Sequence, residues 1–333
     1  MPTINDVAKQ AGVSAKTVSR VINDFPHISP ATREKVERAM NAVGYGPAVP
    51  RRGAIARSIG MLYSDPSSGY QARLNHAMLA ACSQAQRYLA VELFDECRSG
   101  WREQMEAYLD RTQVRDLVLV PPMCDSPELH DLLRQRGVNT VLISPSSPVE
   151  GASSIYIDDR AAAMEVTQHL IDLGHRRIGH IAGDQGHVAT VLRQQGYRAA
   201  LDRTPGASFD ESLVKTGKFH FKDALDVAEE MLSAPNRPTA IFAANDDMAA
   251  AVVMVANKLG LEVPRDLSVA GFDNAPISQT MWPALTTVSQ PFNRMAESAV
   301  RLASRGREAS GQSVILPHEL VVRASTGPAP KSV

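Results

Sequence analysis

The sequence predicts a small all-α head joined by a short linker to a larger α/β body of two doubly wound, parallel-sheet halves. Three observations carry that reading. Within residues 1–45, apolar positions recur at helical spacing between cap residues. From Ile59 onward, short apolar runs alternate with helical stretches. At 333 residues the chain is also too long for one ordinary compact domain.

Bulk properties narrow the class. Hydrophobic residues at 44% and charged residues at 21% are ordinary globular values and exclude wholesale disorder. The net charge of −1 hides an asymmetry. Residues 1–58 hold nine Lys/Arg against four acids, a net of +5, which leaves −6 on the remainder. A small basic head on an acidic body points the head toward a polyanion. Cys82, Cys97 and Cys124 are scattered, without redox or metal-ligand spacing, and fit a reducing cytoplasm. The start Met-Pro-Thr-Ile-Asn-Asp has no basic or apolar leader region, so no signal peptide is expected. The longest nearly unbroken apolar run, Met248–Ala256, is too short for a membrane span, and no membrane partner is expected.

In the head, Thr3 and Asp6 have capping-box spacing and start a helix with Ile4, Val7, Ala8 and Ala11 on one face. Gly12 ends it, because glycine turns there without a steric cost. Ser14 caps a second helix that buries Val18, Val21 and Ile22. Ser29-Pro30 opens a third, with Val36, Ala39, Met40 and Val43 inward and Gly44 as its stop. Three short helices with a tight glycine turn between the first two describe a helix-turn-helix. Its second helix enters the major groove N-terminus first, so Ala15, Lys16 and, one turn on, Arg20 are the candidate base readers. Ser14, Thr17, Ser19 and Asn23 are short polar groups suited to phosphate oxygens; the plainer reading makes Ser14 a cap and Thr17 and Ser19 solvated surface.

The stretch from Asn5 through Gly12, Ser14, Thr17 and Arg20 to Asn23, with Thr32–Val36 and Gly44-Tyr45, closely resembles the head of the LacI/GalR (lactose and galactose repressor) family. The resemblance implies that Lys16, Arg20 and Ala15 read bases, and that His27, Thr32 and Tyr45 anchor the phosphate backbone. It also implies a hinge helix in residues 46–58 that wedges an apolar side chain into the minor groove. This chain departs from that pattern. Pro47-Ala48 replaces the usual Pro-Asn, Pro50 and Gly53 intrude, and the segment is a few residues short. Ile55, Ala54 and Val49 are each candidates for the wedge, and Arg51, Arg52 and Arg57 for phosphate or minor-groove contacts.

In the body, strands are expected at Ile59–Tyr63, Ala90–Asp95, Leu117–Val120, Thr140–Ser144, Ile178–Ala182, Leu213–Thr216, Thr239–Ala244 and Leu267–Phe272. Helices are expected at, among others, Ala72–Tyr88, Arg160–Leu173, Asp223–Ser233 and Asp247–Leu259, with Arg193 opening another. Ligands of such folds bind beyond the C-terminal ends of the strands. The residues to inspect are therefore Asp65, Ser68 and Tyr70, then Pro121, Pro122 and Ser144, then Asn245, Asp246, Asp273 and Asn274. Sugars need carboxylate, amide and guanidinium groups for their hydroxyls and an aromatic face, which Tyr70, Phe219, Phe221 and Trp282 offer. Each has a plainer role as a helix cap, a turn residue or core.

The body, too, resembles the family: His169–Ile178, Arg193–Tyr197, Ala244–Ala249, Val263–Asp273 and Pro283–Val288 carry the likeness, which extends over essentially the whole chain. It implies a core similar to periplasmic sugar-binding proteins, made of two Rossmann-like subdomains. The implied division is a helix-turn-helix head at 1–45, a hinge at 46–58, one subdomain at 59–158 plus 290–318, and a second at 159–287 plus 320–328. Chain crossings are implied near Ile157–Arg160, Thr287–Pro291 and Pro317–Val321. Arg193, Asn245 and Asp273 are implied as hydroxyl binders, with Asp246, Ser144, Phe219 and Gln290-Pro291-Phe292 as additions. The Tyr63–Tyr70 loop lacks the usual Asn-Pro-aromatic run and leaves the ligand's identity open.

The sequence contains no dinucleotide fingerprint after a strand, no Walker loop, no nucleophile elbow and no His/Cys/acid cluster at metal spacing. The expectation is a regulator and not an enzyme, with no cofactor and no metal. Its partners are double-stranded operator DNA, a small-molecule effector of mono- or disaccharide type, and a second copy in a homodimer. A repressor is favoured by the resemblance; an activator or a co-repressor-dependent regulator of the same fold is the alternative, with a sugar-metabolising enzyme behind it.

Overall fold

A computed structural model describes residues 3–22, 28–43, 58–64 and 68–330. Its contacts divide the chain into two units, residues 1–56 and 57–333.

The first unit holds α1 (Ile4–Ala11), α2 (Ala15–Ile22) and α3 (Pro30–Ala42). Local chemistry sets each boundary. The Asp6 amide donates to Thr3 Oγ1 at 3.4 Å while the Thr3 amide donates to Asp6 Oδ2 at 2.7 Å, a reciprocal capping box. Gly12 closes α1 at φ +59°. Ser14 Oγ accepts from the Thr17 amide at 3.1 Å, and Ser29 Oγ from the Thr32 amide at 3.3 Å. Val7, Ala11, Val18, Val21, Val36 and Met40 form the core of this unit. Ala15, expected to be exposed, is half-buried against that core, because its short side chain sits beside the buried stripe of α2.

The second unit carries two sheets. The first has the order β11-β5-β4-β3-β1-β2, from β1 (Ser58–Tyr63), β2 (Tyr88–Leu93), β3 (Asp116–Leu119), β4 (Asn139–Ile143), β5 (Ser153–Ile157) and β11 (Ser313–Leu316). The second has the order β12-β10-β9-β8-β6-β7, from β6 (Ile178–Ala182), β7 (Val214–Thr216), β8 (Ala240–Ala243), β9 (Ser268–Asp273), β10 (Thr286–Ser289) and β12 (Glu319–Val321). Every pairing is parallel except β12, which runs antiparallel to β10. Parallel strands demand crossover connections and cover on both faces. Helices α4 (Gly69–Gln84), α5 (Trp101–Thr112), α6 (Pro127–Gln135) and α12 (Phe292–Arg305) serve the first lobe. Helices α7 (Asp159–Asp172), α8 (Val188–Asp202), α9 (Phe221–Ser233), α10 (Asp246–Lys258) and the short α11 (Ile277–Thr280) serve the second. The chain passes to the second lobe after Ile157, returns after Ser289, and crosses again after Leu316.

Several expected boundaries move. The helix expected at Ala72–Tyr88 spans Gly69–Gln84; the Arg87 amide closes it onto the Cys82 carbonyl at 2.8 Å, Gln86 turns at φ +54°, and Tyr88 starts β2. Arg193 does not open its helix. His187 is the extended N-cap of α8, which places Arg193 in the second turn, buried. β5, β10, β11 and β12 were not foreseen. They are three to five residues long, so that even the apolar stretches Ile155–Ile157 of β5 and Val314–Leu316 of β11 are too short to stand out, and pairing with neighbouring strands completes them.

Candidate functional site

In the head, Lys16 and Arg20 are exposed and four residues apart on α2, which puts them on one face. The hydroxyls of Ser14 and Thr17 lie 2.9 Å apart, and that of Thr32 lies 2.8 Å from Ser29, so all three take part in the caps, which leaves each hydroxyl further hydrogen-bonding capacity. Ser19 is half-buried on α2. Asn23, His27, Tyr45, Arg51, Arg52, Ile55, Arg57 and Asp65 lie outside the described residues.

In the body, the C-terminal ends of strands from both sheets converge on a cavity of about 160 Å³. The first lobe contributes Ser64 after β1, Tyr70 and Gln71 from α4, Pro121 after β3 and Ser144 after β4. The second contributes Asp159, His187, Arg193, Lys218, Phe219, Asn245 and Asp273, and Gln290 enters from the crossing segment. Backbone strain concentrates here. Ser144 (φ +50°), Lys218 (+53°), Phe219 (+64°) and Asp273 (+105°) line the cavity in left-handed conformations, and Asn274 (+53°) follows directly. Such conformations cost about 1–3 kcal/mol each, persist only where surroundings over-determine them, and cluster at ligand sites. Phe219 lies over Gly183 so closely that a Cβ there would come within 2.1 Å of its ring.

The electrostatic centre is a buried ion pair. Arg193 Nε donates to Asp159 Oδ1 at 2.8 Å, with both side chains about 5% exposed. Arg193 Nη1 also donates to the Ala244 carbonyl at 2.5 Å, and its guanidinium carbon lies 3.6 Å from the Phe272 ring centre. Asp273 accepts from Gln290 Nε2 at 2.7 Å. Burial pushes the Asp273 pKa up to about 7, against the opposing pull of Arg193 and of the Gln290 hydrogen bond. His187 is held below the usual histidine range by burial and presents a neutral ring edge-on to Phe219. Where the first lobe lines the cavity, two polar atoms are buried without a protein partner, Tyr70 Oη and Gln71 Oε1. Buried groups in this condition call for water or a ligand.

Of the sequence-derived candidates, Tyr70, Ser144, Arg193, Phe219, Asn245, Asp273 and Gln290 line this cavity. Asn245 also keeps its plainer role, because Oδ1 caps α10 at the Met248 amide and Nδ2 holds the Phe219 carbonyl, both at 2.9 Å. Asp246 does not line the cavity: it turns behind it, accepting from Thr287 Oγ1 and the Ala275 amide at 2.6 Å each. Its pKa is raised, first by burial and then by neighbouring Asp273. Pro121 takes the wall position in place of Pro122, which precedes a 3₁₀ turn. Phe221 packs into the second lobe, and Trp282 is 87% exposed. The sequence reading missed Asp159, Gln71, His187 and Lys218. Asp159 follows β5 by two residues, so the strand-end rule reaches it once that strand is recognised.

The geometry agrees with known proteins. Residues 3–48 match the family described as bacterial regulatory proteins, lacI family, and residues 167–326 match the periplasmic binding protein-like domain. The chain is 33% identical to the HTH-type transcriptional regulator DegA of Bacillus subtilis (strain 168), over 98% of each chain. Among solved structures, a complex of the transcriptional regulator CelR with cellobiose superposes with a TM-score of 0.73 at 33% identity, over 98% of this chain and 100% of that one. The lac repressor dimer bound to operator and the anti-inducer ONPF gives 0.72 at 28% identity, over 98% of this chain and 99% of that one.

Proposed function

The chain belongs to the LacI family of bacterial regulatory proteins, and from that membership we propose a sugar-responsive repressor acting as a homodimer in the cytoplasm. It is a DNA-binding transcription regulator and not an enzyme. Lys16 in the first turn of α2, with the Ala15 methyl beside it, and Arg20 one turn on read base edges. Ser14, Thr17, Ser19, Asn23, His27, Thr32 and Tyr45 hold phosphates, and residues 46–58 act as the hinge, with Arg51, Arg52 and Arg57 toward DNA and Ile55 as wedge. The body divides at the chain crossings into 59–158 plus 290–318 and 159–287 plus 320–328.

The observation that carries the effector reading is the cavity itself. It joins a buried Arg193–Asp159 pair, the Asp273 carboxylate, an aromatic wall at Phe219 and two unpartnered polar atoms. That is the chemistry of a polyol: hydroxyls both donate and accept, and a sugar's C–H face packs on a ring. Its volume suits a ligand smaller than a drug-sized one, for which roughly 300–1,000 Å³ is usual. Mono- and disaccharides are the proposed class; the relative CelR is solved with cellobiose. Binding alters the angle between lobes and thereby the hinges, and linkage makes operator and inducer weaken each other reciprocally.

The test is a thermal-shift screen of mono- and disaccharides and sugar phosphates, followed by titration of intact protein onto palindromic duplexes with and without each hit. An effector that raises Tm and loosens operator binding is expected. Arg193→Ala is expected to abolish that response with operator affinity retained. A bound sugar that leaves operator affinity unchanged rejects the coupling.

A further inference from the structure

The two lobes touch beside the cavity through the first turns of α4. The Gly69 amide faces the Asp247 carboxylate at 3.5 Å. One turn on, Arg73 donates from Nη1 to the backbone carbonyl of Asn274 in the other lobe. The Arg73 guanidinium lies 5.2 Å from the Phe292 ring centre, and Phe292 stands edge-on to the cavity residue Tyr70 at 5.3 Å. A single short segment of the first lobe therefore both lines the cavity, through Tyr70 and Gln71, and reaches across it, through Gly69 and Arg73.

What Arg73 grips is the turn that aims Asp273. Asp273 and Asn274 are consecutive non-glycine residues at φ +105° and +53°. Neighbours must hold such a pair in place. The second lobe and the crossing segment take three groups of Asn274. Its amide donates to Thr287 Oγ1 at 3.3 Å, its Nδ2 donates to Ser289 Oγ at 3.2 Å, and its Oδ1 accepts from Arg323 Nη2 at 2.7 Å. The backbone carbonyl is left, and its donor comes from the first lobe.

We propose that Arg73 is a positioning residue for effector binding. By clamping the Asn274 carbonyl from the opposite lobe, it sets the Asp273 carboxylate in the cavity when the lobes are together, and so couples lobe closure to effector affinity. This rests on the reading that the cavity takes the effector. A contact made only in the closed arrangement raises the closed population, and affinity scales with the competent fraction.

The experiment uses the full chain. Spin labels on the exposed Cys97 of the first lobe and on Ser233→Cys of the second report the interlobe distance, with labelled subunits diluted into unlabelled ones. Four backgrounds are compared: parent, Arg73→Gln, Arg73→Lys and Gly69→Val. Gly69→Val tests the contact by a second route, since a Cβ there meets Ala275 Cβ at 3.2 Å and presses the lobes apart. Arg73→Gln, whose donor sits two bonds nearer the backbone than Arg Nη1, and Gly69→Val are expected to broaden and lengthen the ligand-free distance distribution, and Arg73→Lys, one bond shorter and still charged, to restore most of it. Affinity for each sugar of the screen, cellobiose first, is expected to fall on the order of tenfold in Arg73→Gln and to recover in Arg73→Lys. An unchanged distance distribution in Arg73→Gln overturns the proposal, and so does a changed distribution with unchanged sugar affinity. If the parent binds no sugar while the distances shift as expected, the effector reading fails and the Arg73 contact between lobes stands.

Discussion

Replacing Asp159 with alanine leaves the Arg193 guanidinium buried without its carboxylate. Both side chains are about 5% exposed, so the pair is not a screened surface contact. Removing one partner of a buried ion pair costs about 3–5 kcal/mol, because the remaining charge keeps its desolvation penalty and loses its compensation. In the variant the hydrogen bond to the Ala244 carbonyl, the rings of Phe272 at 3.6 Å and Phe219 at 5.9 Å and the attraction to Asp273 survive, and the adjoining cavity admits water to the guanidinium. These argue for the lower end, about 3 kcal/mol. The slope is about 2–4 °C per kcal/mol for domains of 150–250 residues and smaller for larger ones, so for the unit of residues 57–333 the melting transition is expected to drop by about 6 °C. Circular dichroism melts of the intact protein measure this. A double-mutant cycle supplies the control. Asp159→Ala combined with Arg193→Met removes the orphaned charge, so the double variant is expected to be more stable than Asp159→Ala alone. A loss under about 1 kcal/mol in the single variant, or additive losses in the double, would show that the pair is not held as a desolvated unit and refute the reasoning.

The other expectations concern titration, packing and recognition. Burial raises the Asp273 pKa from 3.8 to about 7, so between those values the folded chain holds a proton that the unfolded chain has released. Stability from this group therefore falls as pH rises from about 4 to about 7 and stays low above it. Asp273→Asn is expected to match the parent's Tm near pH 4 and exceed it by several degrees at pH 8 while losing effector affinity; a pH-independent difference in Tm counts against the buried carboxylate. Gly196→Ala places a Cβ 2.2 Å from the Arg160 carbonyl, where α7 and α8 meet backbone to backbone, and is expected to cost at least about 1–3 kcal/mol in urea unfolding. A neutral result there means the two helices separate freely. Arg20→Ala is expected to cost about 1–3 kcal/mol at the operator and to relax preference at one base pair. Uniform weakening across all duplexes, read by gel shift, reassigns Arg20 to the phosphates.

The head was legible because its determinants are local. Thr3 with Asp6, Gly12, Ser14 with Thr17 and Ser29-Pro30 act within three or four residues, and each does in three dimensions what its residue type and spacing imply. The two-lobed α/β class was legible from alternation, and β6 was placed to the residue because its apolar run coincides with its buried length. β5 was lost because its strand formers, Ile155-Tyr156-Ile157, are a run of only three, preceded by Ser153-Ser154, and too short to stand out. It is a strand because β4 and β11 flank it.

The floor of the cavity shows where reading from sequence ends. Nothing in the chain order announces that Asp159 meets Arg193, thirty-four positions away, or that Asn245 faces the cavity while its neighbour Asp246 turns behind it toward Thr287. A strand end restricts a ligand site to a few adjacent residues, but the choice among them depends on how each side chain finds partners once distant strands are side by side. The primary structure therefore determined the helix-turn-helix head and the class of the body, because caps, turns and periodic apolar faces are short-range. Packing alone decided which carboxylate is paired, which is left near neutrality, and which residues close the cavity, because those outcomes depend on burial and on partners that folding brings together.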